Sequence, residues 1–460
     1  MSAACFSAEE LAFATGGKWS SDTSTLPLVM EISTDTRSDG RGKIFFALAG
    51  ESFDAHDFLD KAAASGCCAL CIRKDFTGFR PELPYLEVDD VLRAYQQTAK
   101  FHRNRFPKLK VAAVTGSVGK TSTKEMVRAI LTGYTGNPDA VLYTIGNTNN
   151  HVGVPQNLLR LNDNHRYAVI EMGTSSPGEI SPLSAMARPD VAGVNTVAAC
   201  HLEKLIDLDG VAFEKGTVYS GLERGGVAVM GENVHGREIL ARAAGNHKIL
   251  IFGTDATVCD VAVNYLHGDL AGSEFELIFP RSGKRFTVKW ALSGAHQALN
   301  AACASASALA LGVPEEAIAS GLTLTTLPGQ RMKQTVVDNV VYVNDAYNAN
   351  PASMRALLKL IKSGVAPEKL ILCLGGMREL GENSRNEHIE LLNIVASEFS
   401  ACRLITIGPE FDGIAGNGKF FLNSTDAAAY LAAIVRPGDT VVAKGSNGNR
   451  VYLALPEAAQ

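Results

Sequence analysis

Val111-Ala-Ala-Val-Thr-Gly-Ser-Val-Gly-Lys-Thr-Ser-Thr123 decides the fold. An apolar strand runs into a glycine loop, and the loop opens a helix at Lys120-Thr121. That order presents backbone N–H groups, a lysine and a helix N-terminus to one phosphate chain. Gly116, Ser117, Val118, Gly119, Lys120, Thr121 and Ser122 are therefore the candidate triphosphate cradle. The strict P-loop pattern has a glycine where this chain has Val114, so the loop is the shorter Gly-x-x-Gly-Lys-Thr form. The plainer alternative is a strand–turn–helix corner with an exposed lysine. The helix that follows is amphipathic through Met126, Val127, Ile130 and Leu131.

The surrounding chain narrows the class. Its 460 residues exceed what one core organises, so several domains are expected. The net charge of −5 gives no basic field for nucleic acid. No run of eighteen apolar residues occurs, which argues against a membrane span. The first ten residues lack the basic-then-apolar order of a signal peptide. Nine cysteines are scattered, and Cys67, Cys68 and Cys71 have no second cluster to complete a zinc site. They read as thiols of a buried strand, in a cytoplasmic protein.

Strand-like and helix-like pieces alternate on both sides of the loop. Strands are expected at 44–48, 67–72, 167–170, 191–196, 227–230 and 249–252, and helices at 58–65 and 91–102. Residues 258–292 alternate as hairpins do, and 296–311 form an alanine-rich helix. Short strands return at 340–344, 370–374, 404–407 and 440–443. Phe106-Pro107 and Pro328-Gly329 break the pattern. The expectation is a three-domain α/β protein with units at 1–106, 107–327 and 328–460, the central one P-loop-like with a mostly parallel sheet and the last Rossmann-like.

Other candidates sit at strand ends, where α/β sheets place ligands. Thr121 can offer a hydroxyl to a metal, and Glu171 and His201 are further candidate ligands. Taken alone, Glu171 also reads as a solvated edge charge, His201 as a hydrogen-bonded structural residue and Lys215 as a surface lysine. The amide-rich loop Thr144–Pro155 suits neutral recognition of sugar or peptide groups, or a set of Asx turns. Asn344-Asp-Ala-Tyr-Asn-Ala-Asn-Pro351 reads as a strand-to-helix site or a polar cap.

Together and in this order, these motifs resemble the muramyl (Mur) ligases, along nearly the whole chain. The strings that match are Thr115–Thr121, Asn147–Pro155, Glu171–Ile180, Arg188-Pro-Asp190, His201-Leu-Glu203, Glu214-Lys-Gly216, Gly294-Ala-His296 with Asn300, and, at the N-terminus, Ser33–Arg37 and Phe46–Phe58. Asp345–Pro351 with Ser353-Met354 points to the type that adds D-alanyl-D-alanine.

The resemblance implies an ATP-dependent amide ligase acting through an acyl phosphate in peptidoglycan synthesis. Its substrates would be ATP, a UDP-N-acetylmuramoyl tripeptide and D-alanyl-D-alanine. It further implies Lys120 on the β/γ-phosphates, and Thr121 and Glu171 on one magnesium ion. His201 would hold a second ion with a carbamylated Lys215. ATP would touch Asn300, Arg331, Asp345, Tyr347 and Asn348. The UDP substrate would meet Ser33, Arg37, Asn147, Asn149, Asn150, Thr174 and Ser175. The implied N-terminal unit binds the UDP sugar, and a monomer is expected.

Three departures stand out. Gly376 takes the place of an aspartate, Asn447 that of an arginine after Lys444-Gly-Ser, and Gln330 separates Gly329 from Arg331. The alternatives are a sister ligase adding one amino acid, a non-catalytic UDP-muramyl-peptide-binding homologue, and a GTPase-like switch or small-molecule kinase. The Asn-Lys-x-Asp guanine motif of a GTPase is absent.

Overall fold

A computed structural model describes residues 5–50, 53–362, 364–414 and 416–460. Met1–Ala4, and Glu51 and Ser52 of the Phe46–Phe58 string, lie outside the described residues. Three separate sheets follow one another along the chain.

The first sheet has five strands. Glu31–Ser33, Lys43–Phe46, Ala69–Arg73 and Tyr85–Val88 run parallel, with the short Lys18–Trp19 antiparallel on the edge. The second has nine. Lys110–Thr115 lies between Tyr167–Glu171 and Val191–Val194, all parallel. Beyond these the sheet reaches Val141–Tyr143 on one side. On the other it runs through Val227–Gly231 and Lys248–Gly253 to an antiparallel meander, Val261–Asp269, Gly272–Phe279 and Lys284–Trp290. The third has six strands, five of them parallel, with Lys333–Val337 added antiparallel to Val340–Asn344. The three-unit α/β architecture is thus as the strand rhythm implies.

The P-loop strand is apolar because both its faces are covered. Val111 and Ala113 point into one core, and Ala112 and Val114 into another with Met126, Val127, Ile130 and Leu131 of the helix Lys120–Thr135. The helix Ala295–Ala310 is buried nearly all round from Gln297 to Ala308, which is why it is built from alanine, serine and cysteine.

The helix Val91–Asn104 joins the first unit to the second. Asp90 caps its N-terminus, accepting from Arg93 N at 2.8 Å. Its apolar face belongs to one core that contains Phe6, Leu11 and Phe46 as well as Leu158, Ile170 and Met186. Beside it, Arg103 is 3% exposed. Its guanidinium donates to the carbonyls of Ala187 at 2.9 Å, Phe106 at 2.8 Å and Arg188 at 3.3 Å. The buried cation caps the C-terminal end of the helix Ile180–Ala187.

Removing that cation takes the donor from three carbonyls, one buried and two partly buried. Arg103→Ala is expected to lower unfolding free energy by about 3 kcal/mol, checked by urea denaturation.

Candidate functional site

The carboxyl ends of the parallel strands in the second and third sheets face a common cleft of about 670 Å³. It is lined by the P-loop from Ser117 to Ser122, by Asn147, Asn149, Asn150, Glu171, Thr174 and Ser175, and by His201 and Asn300. Arg331, Asp345, Tyr347 and Asn348 line it from the third unit. Most of the residues singled out in the sequence therefore meet in one place. Gly116, Ser33, Arg37 and Lys215 are not on its wall.

The P-loop turns on two glycines with positive φ, 147° at Gly116 and 81° at Gly119. A Cβ on Gly119 would overlap the Asn195 and Asn300 amides, so space as well as φ requires glycine. Asn195 Nδ2 donates to Val118 O at 3.2 Å, Thr123 Oγ1 at 3.0 Å and Asn300 Oδ1 at 2.7 Å. Asn300 in turn donates to Gln297 Oε1 at 2.9 Å. Asn195 is the buried pin of the loop. In the sequence nothing marks it off from any other residue at a strand end. The helix Lys120–Thr135 has Gly119 at its N-cap and no side-chain cap. Lys120 Nζ folds back to Gly116 O at 2.8 Å.

Glu171 is no solvated edge charge, at 2% exposure. Its Oε1 accepts from Asn149 Nδ2 at 2.9 Å, and its Oε2 is buried with no hydrogen-bond partner. A buried carboxylate oxygen in that state fits a cation. The amide loop forms the Asx turn that one of its two readings expects, and it also steadies Glu171. Asn149 holds Glu171, while Asn150 Oδ1 accepts from Gly153 N at 2.9 Å in an Asx turn. Asn147 lines the cleft and accepts from Asn149 Nδ2 at 3.2 Å. Thr174 Oγ1 and Ser175 N both donate to Glu179 Oε2, at 3.0 and 2.7 Å.

Lys215, on the helix Leu208–Gly216, is fully buried rather than a surface lysine, and its Nζ has no partner. Burial, and then the charge of Lys120, push its amine down to about 7. The neighbouring Glu214 is structural. Its carboxylate accepts from Gly178 N at 2.7 Å, Glu179 N at 3.0 Å and Ile180 N at 2.9 Å. Those are N–H groups at the start of the helix Ile180–Ala187, which favours an anion.

His201 pairs through Nδ1 with Glu379 Oε2 of the third unit at 2.5 Å. That hydrogen bond, ahead of other causes, draws the Glu379 carboxyl down. A carboxylate on Nδ1 fixes the proton there and leaves the Nε2 lone pair for a cation. Glu379 was missed in the sequence; its partner lies 178 residues away, and no local pattern marks it.

The third unit supplies a second interlocked group. Lys444 Nζ donates to Asp345 Oδ2 at 2.6 Å and Asn348 O at 3.0 Å. Arg331 lies 3.7 Å over the Tyr347 ring and donates to Thr121 Oγ1 at 3.2 Å. The extra Gln330 does not stop Arg331 from reaching the P-loop.

In the first unit, Arg37 forms a two-pronged pair with Asp35 at 2.8 Å for each bond. That pairing holds the Asp35 carboxyl at about 2. Ser33 Oγ donates to Asp35 O at 3.0 Å. All nine cysteines are free thiols, Cys67 and Cys71 buried and Cys68 partly so. Among the described residues no cluster of histidine, cysteine and carboxylate side chains is preformed for a metal. No helix there is long and apolar enough to cross a membrane.

Residues 114–308 match a family model described as the Mur ligase middle domain, and residues 330–447 one described as the Mur ligase, glutamate ligase domain. The UDP-N-acetylmuramoyl-tripeptide–D-alanyl-D-alanine ligase of Escherichia coli (strain K12) is 36% identical over 435 residues, 93% of each chain. That of Bacillus subtilis (strain 168) is 33% identical over 91% of each. Among solved structures, MurF from Acinetobacter baumannii superposes with a TM-score of 0.89 at 30% identity, covering 99% of this chain and 98% of that one. MurF ligase from Thermotoga maritima in complex with ADP gives 0.79 at 26% identity, covering 92% and 96%.

The three bonds at Glu214 make one stability prediction. Glu214→Ala is expected to cost about 3 kcal/mol in urea unfolding, and Glu214→Gln clearly less, because the amide oxygen still accepts.

Proposed function

The chain belongs to the Mur ligase family, and we propose that its central cleft joins D-alanyl-D-alanine to a UDP-N-acetylmuramoyl tripeptide at the expense of ATP. The product would be the pentapeptide precursor of peptidoglycan. One observation carries the assignment to this cleft. The P-loop wall faces Arg331 and Asp345 across a single space, beside a buried Glu171 oxygen with no partner.

Chemistry follows from that arrangement. The tripeptide carboxylate attacks the γ-phosphorus, forming an acyl phosphate and releasing ADP. The dipeptide amine, having lost a proton, then attacks the acyl carbon, and inorganic phosphate leaves. The protein's part is positioning and charge neutralisation. Lys120 and the uncapped N–H groups of its helix take the β- and γ-phosphates. Asn300 holds the loop through Asn195. Arg331, stacked on Tyr347, brings a second positive charge from the third unit, and Asp345 and Asn348 are fixed by Lys444. Asn147, Asn149, Asn150, Thr174 and Ser175 form the wall offered to the muramyl peptide, while Ser33 and Arg37 lie in the unit assigned to its UDP end.

The donor set fits magnesium. Thr121 and Glu171 would hold one ion, and His201 with carbamylated Lys215 a second; bound there, the ions would neutralise charge on the phosphate oxygens. The support for the carbamate is a buried amine without a partner, lowered by burial to about 7, so that a substantial fraction is uncharged at neutral pH and able to add carbon dioxide. The residue ranges 1–106, 107–327 and 328–460 are taken as the working units, each containing one sheet. The cleft is complete within one chain, which supports action as a monomer. Nine free thiols and nucleotide-linked substrates support a cytoplasmic setting.

Lys120→Ala is expected to lower ADP release by about two to three orders of magnitude, measured with all three substrates present. Normal release from that variant would remove the loop from the reaction. With 13C-bicarbonate, the wild type is expected to show a carbamate carbon resonance that Lys215→Ala lacks, together with loss of ligation. Wild-type turnover in Lys215→Ala would overturn the carbamate.

A further inference from the structure

Gly376 follows the buried strand Leu370–Gly375, at the point where the family pattern carries a carboxylate. Its φ is not among the positive values, so the backbone does not require glycine. Space does. A Cβ built there overlaps the carboxylate of Glu410 and stands 2.7 Å from its Cβ. Glu410 belongs to the turn Pro409–Phe411, which follows the neighbouring strand Arg403–Ile407. A Cβ on Gly408 would also meet Glu410 Oε2, at 2.7 Å. Two glycines therefore form a cradle for one carboxylate.

The carboxylate has specific partners. Arg378 Nε donates to Glu410 Oε1 at 3.2 Å, and Asn449 Nδ2 to Glu410 Oε2 at 3.1 Å. Arg378 Nη2 donates to Asn449 Oδ1 at 2.9 Å, closing a ring of three side chains. Asn449 Nδ2 also reaches Gly376 O at 3.1 Å. The guanidinium lies over Gly448, where any Cβ would strike it. Gly448 directly follows Asn447, the place of the pattern's missing arginine. A carboxylate, that of Glu410, thus fills the space a side chain at 376 would take, and a guanidinium, that of Arg378, lies one residue from Asn447.

The ring is fastened to the loop that faces the P-loop wall. Arg378 N donates to Ser446 Oγ at 3.0 Å, and Met377 N to His388 Nε2 at 2.8 Å. The next residue, Glu379, lines the cleft and pairs with His201. The acyl phosphate forms on the P-loop side, so the amine has to arrive from the opposite wall, to which this loop belongs. Arg331, Asp345 and Tyr347, the ATP-side groups of the third unit, are held by contacts that do not involve the loop.

We propose that Glu410 is a positioning residue for the amine substrate. It replaces a carboxylate at 376 and, through Arg378 and Asn449, sets the loop carrying Glu379 against D-alanyl-D-alanine. The proposal rests on the ligase reading above.

The test moves the carboxylate between the two sites in the full chain, with steady-state kinetics for each substrate. Glu410→Gln keeps the volume and is expected to raise the KM for D-alanyl-D-alanine about tenfold, with a clearly smaller change in the KM for ATP and an unchanged melting temperature. Gly376→Asp alone puts two carboxylates in one space and is expected to impair the dipeptide step further. Gly376→Asp combined with Glu410→Gly is expected to return the dipeptide KM to within about threefold of wild type. A normal dipeptide KM in Glu410→Gln, or a double variant no better than Gly376→Asp, would overturn the positioning role. So would equal shifts for ATP and dipeptide accompanied by a lowered melting temperature. A wild-type chain that ligates no dipeptide would instead overturn the function itself.

Discussion

A helix that begins without a cap leaves its first N–H groups without intrahelical partners. The helix Lys120–Thr135 is in that condition, and the cleft is arranged around it. Several other helices have such ends closed by the chain's own oxygens. Ser7, Asp90, Asp207 and Asn423 cap their own helices, and Glu214 serves the helix Ile180–Ala187 from another element. At Gly119 an oxygen-bearing side chain is excluded by the Asn195 and Asn300 amides. The open end, Lys120 and Arg331 concentrate positive potential where phosphate belongs. The buried Glu171 oxygen nearby balances it and invites a cation.

The same logic explains why the site is shared between two sheets. The P-loop wall is built by backbone and amides packed within the central unit. The opposite wall touches it through polar contacts, Arg331 to Thr121 and Glu379 to His201. Polar contacts of this kind exchange readily with water or ligand. Substrates that enter between the walls can therefore replace them at little cost.

How much of this was legible in the sequence depends on range. The strand and helix positions follow local periodicity, and the observed limits differ by one or two residues, as at Ala69–Arg73 for the expected 67–72. The P-loop, Glu171 and the Asp345 string were legible because strand ends place ligands. Short edge strands, such as Lys18–Trp19 and Lys419–Phe421, carry too few residues to show a pattern. Burial was also hidden. Lys215 and Glu214 sit on a short helix with charged neighbours, and only the fold shows that both are enclosed. His201–Glu379, Gly376–Glu410 and Asn195–Asn300 are pairings between distant segments, which a single sequence does not encode as a motif. The glycine at 376 reads as a loss in the sequence and as a cradle in the structure.

The helix Val91–Asn104 and Arg103 separate two meanings of the word domain. By sequence rhythm the first unit ends near residue 106, yet its apolar core runs on through Leu158, Ile170 and Met186. A fragment cut at that point would bare the helix face and leave Arg103 without its carbonyls at 187 and 188. The core under the segment that sequence rhythm sets apart therefore does not end at that segment's boundary. The first two units share one apolar core, while the third has its own, against which Leu270 of the central unit packs.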